Sequence, residues 1–519
     1  MIKQIKGFSM FSRVNSAVCS GIEGRNVCVE TDLARGLPGI FIVGLASTMI
    51  MESRERIRSA IVNSGLDYPR TRITVNLTPA SLRKNGSGLD LPIAVGILIS
   101  SLYIDPADVE GTGIVGELSL DGRVLGIKGL LPMLLNMQRT GFRKVIIPWD
   151  NRYEALLISG MDIYAVKDLH ECMQAIRGDE RFRLSEEMAA AEGENVSLVN
   201  RGIAGDYSEI SGQETAKRAI TVAVAGRHGL LMVGSPGCGK TMLSSRIPSI
   251  MPEMTEKELM ETAVIYSATG KNTLGEDIRI DRPFRQPHHT IGRAGLIGGG
   301  LYPVPGEITL AHNGVLFLDE VCEFSRETIE ALRTPLEEKS ITHFRKGENY
   351  TFPSDFQLVM ASNPCPCGYF GDPEHLCKCT EAQLDKYRKK LSGPLIDRID
   401  MRINMEKVTY SDLQKAEKGT SSAEMREAVA RAAEFAGSMG RTGWNASLNE
   451  SETEKYCALS GEEQRFMNKA YDALKMSPRS YKRTLRVART IADIDMSEKI
   501  RVEHLSEALS YRILDRINE

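Results

Sequence analysis

The pattern of hydrophobic and polar positions changes along the chain and predicts separate domains. Residues 1–168 contain short β-branched runs, such as 72–77 and 144–148, that glycine and proline residues interrupt. This pattern is typical of a mixed α+β domain. Residues 169–207 are rich in charged and small residues and contain little that could form a sheet core. We interpret them as a linker that carries some helix.

The pattern then becomes that of a wound parallel sheet. Between residues 208 and 407, apolar strands are expected at 230–233, 315–318 and 357–361, and helix-length segments separate them. From 408 to 519 the strand pattern disappears and helical periodicity takes its place. We therefore expect an α/β core followed by a helical C-terminal domain.

The composition excludes few functions. The 519 residues include 65 Lys and Arg against 68 Asp and Glu, a formal net charge of −3, which excludes a polybasic tail and an acidic disordered chain. A near-neutral total does not exclude nucleic acid, because a local basic surface is enough to bind it. The chain shows no export signal and no run of about 20 apolar residues. We therefore predict a cytoplasmic protein that does not contact membranes.

A phosphate-binding pattern, G-x-x-x-x-G-K-[ST], occupies residues 234–241 between an apolar strand and a predicted helix. Such glycines let backbone N–H groups surround phosphates, while the lysine contacts the terminal phosphates of ATP and the threonine contacts Mg²⁺. The alternative is a glycine-rich turn that only precedes a helix. The expected nucleotide-binding residues are Gly234, Ser235, Pro236, Gly237, Cys238, Gly239, Lys240 and Thr241.

Polar residues also end the second and third predicted strands. Asp319 is expected to hold Mg²⁺ together with Thr241, and Glu320 to orient the attacking water, which predicts hydrolysis rather than binding alone. The third strand leads to Asn363, whose amide would lie beside the γ-phosphate if the strands are neighbours. The alternatives are a chance pair of acids after an apolar strand, and a turn role for an asparagine before Pro364.

Four cysteines lie close together, at Cys365, Cys367, Cys377 and Cys379. Two short arms of thiolates can form a closed tetrahedral Zn²⁺ site, and a reducing cytoplasm favours metal over disulfides. Each arm has one intervening residue rather than the usual two to four, and His375 could replace one ligand. We expect structural zinc in an insertion at about 365–379. Free thiols, a metal cluster or a redox pair are the alternatives.

A basic hairpin is expected between the second and third strands. Residues 340–352 alternate on both sides of a Lys-Gly turn, which is a β-hairpin signal. His343, Arg345 and Lys346 would offer phosphate contacts to DNA, and a solvated charged hairpin is the alternative. A second set of basic residues falls at helical spacing, where it would contact DNA, line the nucleotide cleft or pair with acids of a neighbouring subunit. It comprises Arg479, Lys482, Arg483, Arg486 and Arg489.

Longer motifs identify a family. Residues 282–290 read Arg-Pro-Phe-Arg-Gln-Pro-His-His-Thr, the strand ending in Asp319 and Glu320 follows, and residues 391–400 read Leu-Ser-Gly-Pro-Leu-Ile-Asp-Arg-Ile-Asp. Together they resemble the magnesium-chelatase-like AAA+ ATPases. The match is strongest to the ComM/YifB group, which contains the branch-migration helicase of natural transformation. The resemblance covers nearly the whole chain.

The resemblance implies a fold and an assembly. The fold is an α/β AAA+ P-loop NTPase core over 208–407 with a helical lid over 408–519. An α+β Lon-protease-like (ribosomal S5 domain 2-like) N-terminal domain over 1–168 precedes the core. The assembly is a ring, expected to be a homohexamer, with ATP and Mg²⁺ at each subunit junction and the hairpin facing the pore.

The resemblance also implies catalytic roles. Asn363 matches sensor 1, Arg398 matches the arginine finger that enters the neighbour's site, and Arg479 matches the lid arginine of sensor 2. A fixed guanidinium charge at the transferring phosphoryl group is what such transition states require. The alternative for Arg398 is a surface ion pair with Asp397 or Asp400.

The N-terminal motifs, at residues 36–44, 53–60, 89–96 and 116–125, resemble the Lon-protease-like domain of the same family. Lon-type hydrolysis needs a Ser nucleophile and a nearby Lys. In the family register Gly88 stands at the Ser position and Leu131 at the Lys position, while Ser87 and Lys128 are displaced. We therefore expect no catalytic dyad. The expected role of the domain is to bind DNA or to stabilise the ring.

Together these features predict an ATP-driven hexameric DNA motor, a helicase or branch-migration factor in homologous recombination and natural transformation. The expected partners are further copies of the chain and branched or single-stranded DNA. One alternative is a chelatase-like or protein-remodelling AAA+ ATPase without DNA activity. The other is an ATP-dependent protease.

Overall fold

The computed structural model divides the chain into two compact units. The first comprises Met1–Val199 and Leu259–Ile280, and the second Asn200–Glu258 and Asp281–Glu519. The residues described are 11–45, 47–84, 86, 88–185, 205–271, 281–372, 375–390, 393–407 and 419–512. Ser87, residues 186–204 of the predicted linker and the start of the predicted helical domain lie outside them. Over the described ranges, no helix has both the length and the apolar character needed to cross a bilayer.

The first unit is built on a mixed sheet. Its strands are β1 (Phe11–Ser20), β2 (Glu23–Ala34), β3 (Gly39–Val43), β4 (Arg72–Thr78), β5 (Thr112–Ile114), β8 (Lys144–Pro148) and β9 (Asp162–Val166), with β6 (Glu117–Leu118) and β7 (Val124–Leu125) forming a separate ribbon. The order in the sheet is β3-β4-β2-β1-β5-β8-β9, and β2 pairs antiparallel with β1 and β4. The helices are Thr48–Asn63, Asp90–Ser100, Leu130–Arg139, Arg152–Ala155 and Leu169–Ile176.

The helix Asp90–Ser100 lies in the core of this unit. All of its residues are buried, because its sequence is apolar on every face between its two polar ends. It approaches the sheet closely, since a Cβ atom at Gly96 would stand 2.5 Å from Thr31 Oγ1. Packing therefore requires glycine at this position.

One helix is shared between the two units. Glu256–Thr269 begins in the second unit, and its residues from Leu259 onward belong to the first. Within the first unit, Ala263 packs in the same apolar cluster as Leu131. Leu131 N donates a hydrogen bond to Ser267 Oγ at 3.2 Å. The hydrophobic pattern does not predict that this helix belongs to both units, because an apolar stripe on a helix does not specify its partner.

The second unit contains a five-stranded parallel sheet in the order β11-β12-β15-β10-β16. The strands of this unit are β10 (Leu230–Gly234), β11 (Phe284–Arg285), β12 (Val315–Leu318), β13 (Ser340–Arg345), β14 (Glu348–Pro353), β15 (Gln357–Ser362) and β16 (Met401–Met405). The three strands expected from the sequence, β10, β12 and β15, are confirmed. The hydrophobic pattern misses β11, which has two residues, and β16, in which Arg402 and Asn404 interrupt the apolar run.

Helices cover the sheet and form the C-terminal part of the second unit. Up to residue 407 they are Glu214–Gly226, Lys240–Ser245, Arg293–Ile297, Glu307–Leu310, Arg326–Glu330, Arg333–Glu338, Glu381–Arg388 and Gly393–Ile396. After residue 418 they are Ser422–Ser438, Glu450–Tyr456, Gly461–Ala473, Pro478–Ile494 and Val502–Ser510. The regular structure described after residue 418 is therefore helical, in agreement with the periodicity.

A buried polar network joins the C-terminal helices to the sheet. Arg441 donates hydrogen bonds of 2.7 and 2.5 Å to the two carboxylate oxygens of Asp493, and Arg489 donates another at 3.0 Å. His228, which is buried just before β10, lies 2.8 Å from the hydroxyl of Thr490. These contacts fix the helix Pro478–Ile494 against the amino-terminal edge of the parallel sheet.

Most of the basic residues on this helix are bound within their own chain. Arg483 lies 3.5 Å from Asp400, Lys482 pairs with Glu450, and Arg486 donates a 3.2 Å hydrogen bond to Thr453. The five basic residues at helical spacing therefore do not form one open surface. Groups of the same chain bind Lys482, Arg483 and Arg486.

Replacing Asp493 by alanine is expected to destabilise the second unit by about 3–5 kcal/mol, because it leaves two buried guanidinium groups without their counter-ion. The measurement is the urea unfolding midpoint, followed by circular dichroism. Asp472→Ala removes an exposed carboxylate from a nearby helix and serves as the control. Equal shifts in the two variants would contradict the role of the network.

Candidate functional site

Three loops meet at the carboxyl-terminal edge of the parallel sheet. Because β15 lies between β10 and β12, the residues that follow it lie between the P-loop and the two acids. Lys240 Nζ donates hydrogen bonds to Gly234 O at 2.6 Å, to Ser235 O at 3.1 Å and to Asn363 Oδ1 at 3.2 Å. The strands are thus neighbours, as the expected place of Asn363 beside the phosphates requires.

The backbone of the P-loop depends on two glycines. Gly237 and Gly239 have φ angles of 82° and 91°, in the left-handed region that other residues avoid. Cys238 between them is buried, whereas Pro236 and Gly237 face solvent. The helix that follows starts at Lys240 and is short. It ends at Ser245 and continues as a 3₁₀ turn, Ile247–Ile250, which holds Pro248.

The acids after β12 reach the end of the P-loop. Thr241 Oγ1 donates a hydrogen bond to Asp319 Oδ2 at 2.6 Å, and Asp319 Oδ1 accepts one from the N–H of Glu320 at 2.9 Å. A hydroxyl beside a carboxylate forms a pair of oxygen ligands suited to Mg²⁺. Glu320 adopts a left-handed φ of 50°, and its side chain is half-exposed beside the loop.

The structure also places His289 at this edge, and the sequence pattern had assigned no role to this residue. His289 Nδ1 lies 3.8 Å from Glu320 Oε2, and the rings of His288 and His289 lie 4.1 Å apart. Both histidines belong to the motif at 282–290, and this motif is the sequence signal that could have identified them as site residues. Periodicity could not show that this loop ends beside the carboxylate.

The two expected catalytic arginines lie together, at the opposite edge of the sheet. The carbonyl of Arg398 is near Gly229, which precedes β10. Arg398 Nη2 and Arg479 Nη2 donate to the same atom, Glu337 Oε1, at 2.5 and 2.8 Å. β10 is about 13 Å long, so the backbone of Arg398 lies at the opposite end of this strand from the P-loop.

The four cysteine sulfurs form a compact cluster, with all Sγ atoms within 4.8 Å of one another. The closest separations are 3.3 Å from Cys365 to Cys367, 3.7 Å from Cys365 to Cys377 and 3.6 Å from Cys367 to Cys377. Tetrahedral zinc with Zn–S bonds of about 2.3 Å places sulfurs about 3.8 Å apart, so this donor set fits zinc. His375 instead stacks on Tyr369 and is not part of the cluster.

The chemistry of Cys367 also fits a metal ligand. Hydrogen bonds from the backbone N–H groups of Tyr369 and Lys378 lower the pKa of its thiol to about 6. Such bonds stabilise a thiolate, which is the form that binds metal.

The cysteine insertion packs directly on the P-loop. A Cβ atom at Gly368 would stand 2.7 Å from Pro236 Cδ, and the φ of Gly368 is 85°. Cys365, which is completely buried, comes two residues after Asn363. The first arm of the cluster therefore lies beside both the P-loop and Asn363.

The predicted hairpin is confirmed, with β13 and β14 joined by Lys346 and Gly347. His343 Nε2 lies 3.2 Å from Ile297 O, and Lys346 Nζ lies 3.1 Å from the hydroxyl of Tyr302. Arg345 is exposed near the tip. Phe344, which the sequence analysis did not single out, has 65% of its surface exposed.

In the N-terminal unit, the two residues expected at the positions of the Lon dyad, Gly88 and Leu131, lie in apolar surroundings. A Cβ atom at Gly88 would stand 3.4 Å from Ile127, and the side chain of Leu131 is completely buried. Ser87 lies outside the described residues.

A P-loop on a wound parallel sheet, with two acids after the next strand but one and a C-terminal helical region, defines a P-loop NTPase. Residues 206–413 match the family described as magnesium chelatase, subunit ChlI. Residues 29–151 match subunit ChlI of Mg-chelatase, and residues 419–512 match the subunit ChlI C-terminal family. The chain belongs to the ComM/YifB-like group of these magnesium-chelatase-like AAA+ proteins.

Two relatives are similar over nearly the whole chain, and a third over a quarter of it. Competence protein ComM of Haemophilus influenzae is 41% identical over 97% of this chain and 98% of its own length. YifB of Escherichia coli is 38% identical over 98% of both chains. Lon protease 2 of Bacillus subtilis is 30% identical over 25% of this chain and 23% of its own length. The family and the fold class predicted from the motifs are thus confirmed.

A methyl group at Gly368 is expected to weaken nucleotide binding. Gly368→Ala and Gly371→Ala both place a side chain at a left-handed φ, at a similar cost of about 1 kcal/mol. Only the Cβ at position 368 would meet Pro236, whereas nothing lies within 4 Å of a Cβ at 371. Titration with a fluorescent ATP analogue should therefore show a loss of affinity for Gly368→Ala that exceeds the loss for Gly371→Ala. Equal losses would contradict a contact between the insertion and the P-loop.

Proposed function

We propose that the protein is an ATP-driven hexameric DNA motor, a helicase or branch-migration factor that acts in homologous recombination and natural transformation. The observation that carries the proposal is the separation of the catalytic groups. The P-loop and the acids lie at one edge of the sheet, and Arg398 and Arg479 at the other. A single chain therefore holds two halves of different ATP sites, and a ring of copies would complete each one.

The residues at the carboxyl-terminal edge fit the chemistry of ATP hydrolysis. Lys240 would bind the β- and γ-phosphates, and Thr241 and Asp319 would hold Mg²⁺. Glu320 would orient the attacking water, and Asn363 would contact the γ-phosphate. ATP and Mg²⁺ supply the reacting phosphoryl group and the charge that offsets its negative oxygens.

Arg398 and Arg479 are proposed to act on the nucleotide of the neighbouring copy. A fixed guanidinium at the γ-phosphate stabilises the transition state, and such arginines contribute about 10³–10⁵-fold to turnover in related reactions. Support comes from their distance from their own P-loop.

Arg398→Ala is expected to retain ATP affinity and to lose the ATPase activity of the assembled ring. ATP affinity is measured by titration, and turnover is measured above and below the concentration at which the protein assembles. Lys240→Ala, which removes the phosphate contact itself, is the comparison that should lose both. Unchanged turnover in Arg398→Ala would exclude this residue as the finger.

The hairpin supports contact with DNA. Arg345 and Lys346 lie at its tip, and the exposed ring of Phe344 offers a surface on which a base can stack. The hairpin rests on the segment that contains Ile297 and Tyr302, which leads back to His289 and the catalytic edge. The similarity to a protein named as a competence protein favours DNA as the substrate of this motor.

DNA is expected to stimulate ATP hydrolysis, and branched DNA more than duplex. Arg345→Ala/Lys346→Ala should weaken DNA binding and reduce the slope of log K against log salt by about 1 for each cation removed. Arg465→Ala/Lys469→Ala removes the same charge from an exposed face of another helix and should leave both values near those of the wild type. No stimulation by any DNA and no strand displacement would contradict the helicase proposal.

A second candidate is a chelatase-like or protein-remodelling ATPase without DNA activity, which the magnesium chelatase family descriptions favour. Stimulation by an unfolded protein, with none by DNA, would identify it. A protease is disfavoured because Gly88 and Leu131 occupy the dyad positions. We place the protein in the cytoplasm, without membrane partners.

The cysteine cluster is proposed to hold one structural Zn²⁺ through Cys365, Cys367, Cys377 and Cys379. Elemental analysis should find about one zinc per chain, and Cys365→Ala should lose it and unfold at a lower temperature. Cys28→Ala, outside the cluster, should keep the metal. Native protein that contains no metal and exposes four titratable thiols would contradict the proposal.

A further inference from the structure

Glu337 is the residue on which the two arginines converge, and it lies outside the sequence motifs described above. It lies in the last turn of the helix Arg333–Glu338, next to the exposed Glu338. Two carboxylates at a helix C-terminus face the negative end of the helix dipole, which is unfavourable for the helix itself. An acid at position 337 therefore does not stabilise the helix, but it binds Arg398 and Arg479.

The contacts indicate a shared anchor rather than an isolated surface pair. Both guanidinium groups donate one N–H to the same oxygen of Glu337, at 2.5 and 2.8 Å. Hydrogen bonds from Arg479 and the nearby charge of Arg398 lower the pKa of Glu337, so the carboxylate is ionised at neutral pH.

The carboxylate of Glu337 also reduces the electrostatic repulsion between the two arginines. Arg398 is mostly buried, with 13% of its side chain exposed, and Arg479 is half-exposed. Two cations this close repel each other unless an anion lies between them, and long side chains lose rotational freedom when they are held in place. Glu337 offsets the repulsion before any phosphate arrives.

We propose that Glu337 is a positioning residue that holds Arg398 and Arg479 side by side as one anion-binding pair for the triphosphate of a neighbouring copy of the chain. The inference rests on the proposed function, because it assumes that these arginines act across a subunit junction. It goes further by assigning their joint placement to one carboxylate of their own chain. Glu337 does not touch the nucleotide of its own P-loop.

The first test separates positioning from binding. Glu337→Ala should lower the kcat for ATP by about 10-fold in the assembled protein, because a small displacement of a catalytic group is costly. The KM for ATP should change by less than about two-fold, since the P-loop remains intact. Glu337→Gln retains the shape and one acceptor and should be intermediate. Glu338→Ala is the matched control and should match the wild type. Wild-type kcat in Glu337→Ala would overturn the proposal.

The second test asks whether Glu337 acts through the arginines. In the Arg398→Ala background, adding Glu337→Ala should lower kcat by much less than it does in the wild type. A full additional 10-fold loss would overturn the proposal. Equal melting temperatures of Glu337→Gln and the wild type would show that altered folding is not the cause.

The third test mixes subunits and separates this inference from the function on which it rests. A Lys240→Ala chain has an impaired P-loop but intact arginines and Glu337. Coexpression of Lys240→Ala with Arg398→Ala should give a turnover above that of either variant alone. Coexpression of Lys240→Ala with Glu337→Ala should do the same. Recovery with Arg398→Ala but not with Glu337→Ala would overturn the role of Glu337 and leave the ring site standing. Recovery with neither would overturn both.

Discussion

The position of β15 between β10 and β12 is the constraint on which the candidate site depends. Val359 of β15 is in register with Leu230 on one side and Phe317 on the other. Asn363 therefore emerges between the P-loop and the acids, within hydrogen-bonding distance of Lys240. The cysteine insertion starts from the same strand end, so the cluster lies against the P-loop.

The same parallel sheet separates the expected catalytic groups into two sets. Its carboxyl-terminal edge carries the phosphate-binding loop and its amino-terminal edge carries the arginines. The buried network around Asp493 fixes the helix Pro478–Ile494 at the second edge. Arg479 lies at the start of this helix, so the network also sets the place of that arginine. Under the proposed function, this separation makes assembly a condition for catalysis.

Much of the site follows from the sequence because its signals are local. The P-loop, the pair Asp319 and Glu320, and the four cysteines each occupy a short segment whose residue types and spacing define a chemistry. The β-hairpin and the three central strands were equally predictable, because turn residues and apolar runs act over a few positions. The sequence did not predict β11 and β16, because a two-residue strand and an interrupted strand show too little hydrophobic periodicity.

By itself the sequence determined the family, the class of fold and the chemical groups at the candidate site, since each is expressed in contiguous residues. Only the tertiary structure decided which distant groups meet. It joined Arg398 and Arg479 through Glu337, bound most of the basic helix to acids of its own chain, and assigned residues 259–271 to the first unit. The physical reason is that charge and hydrophobic periodicity specify what a side chain requires, whereas packing decides which partner supplies it.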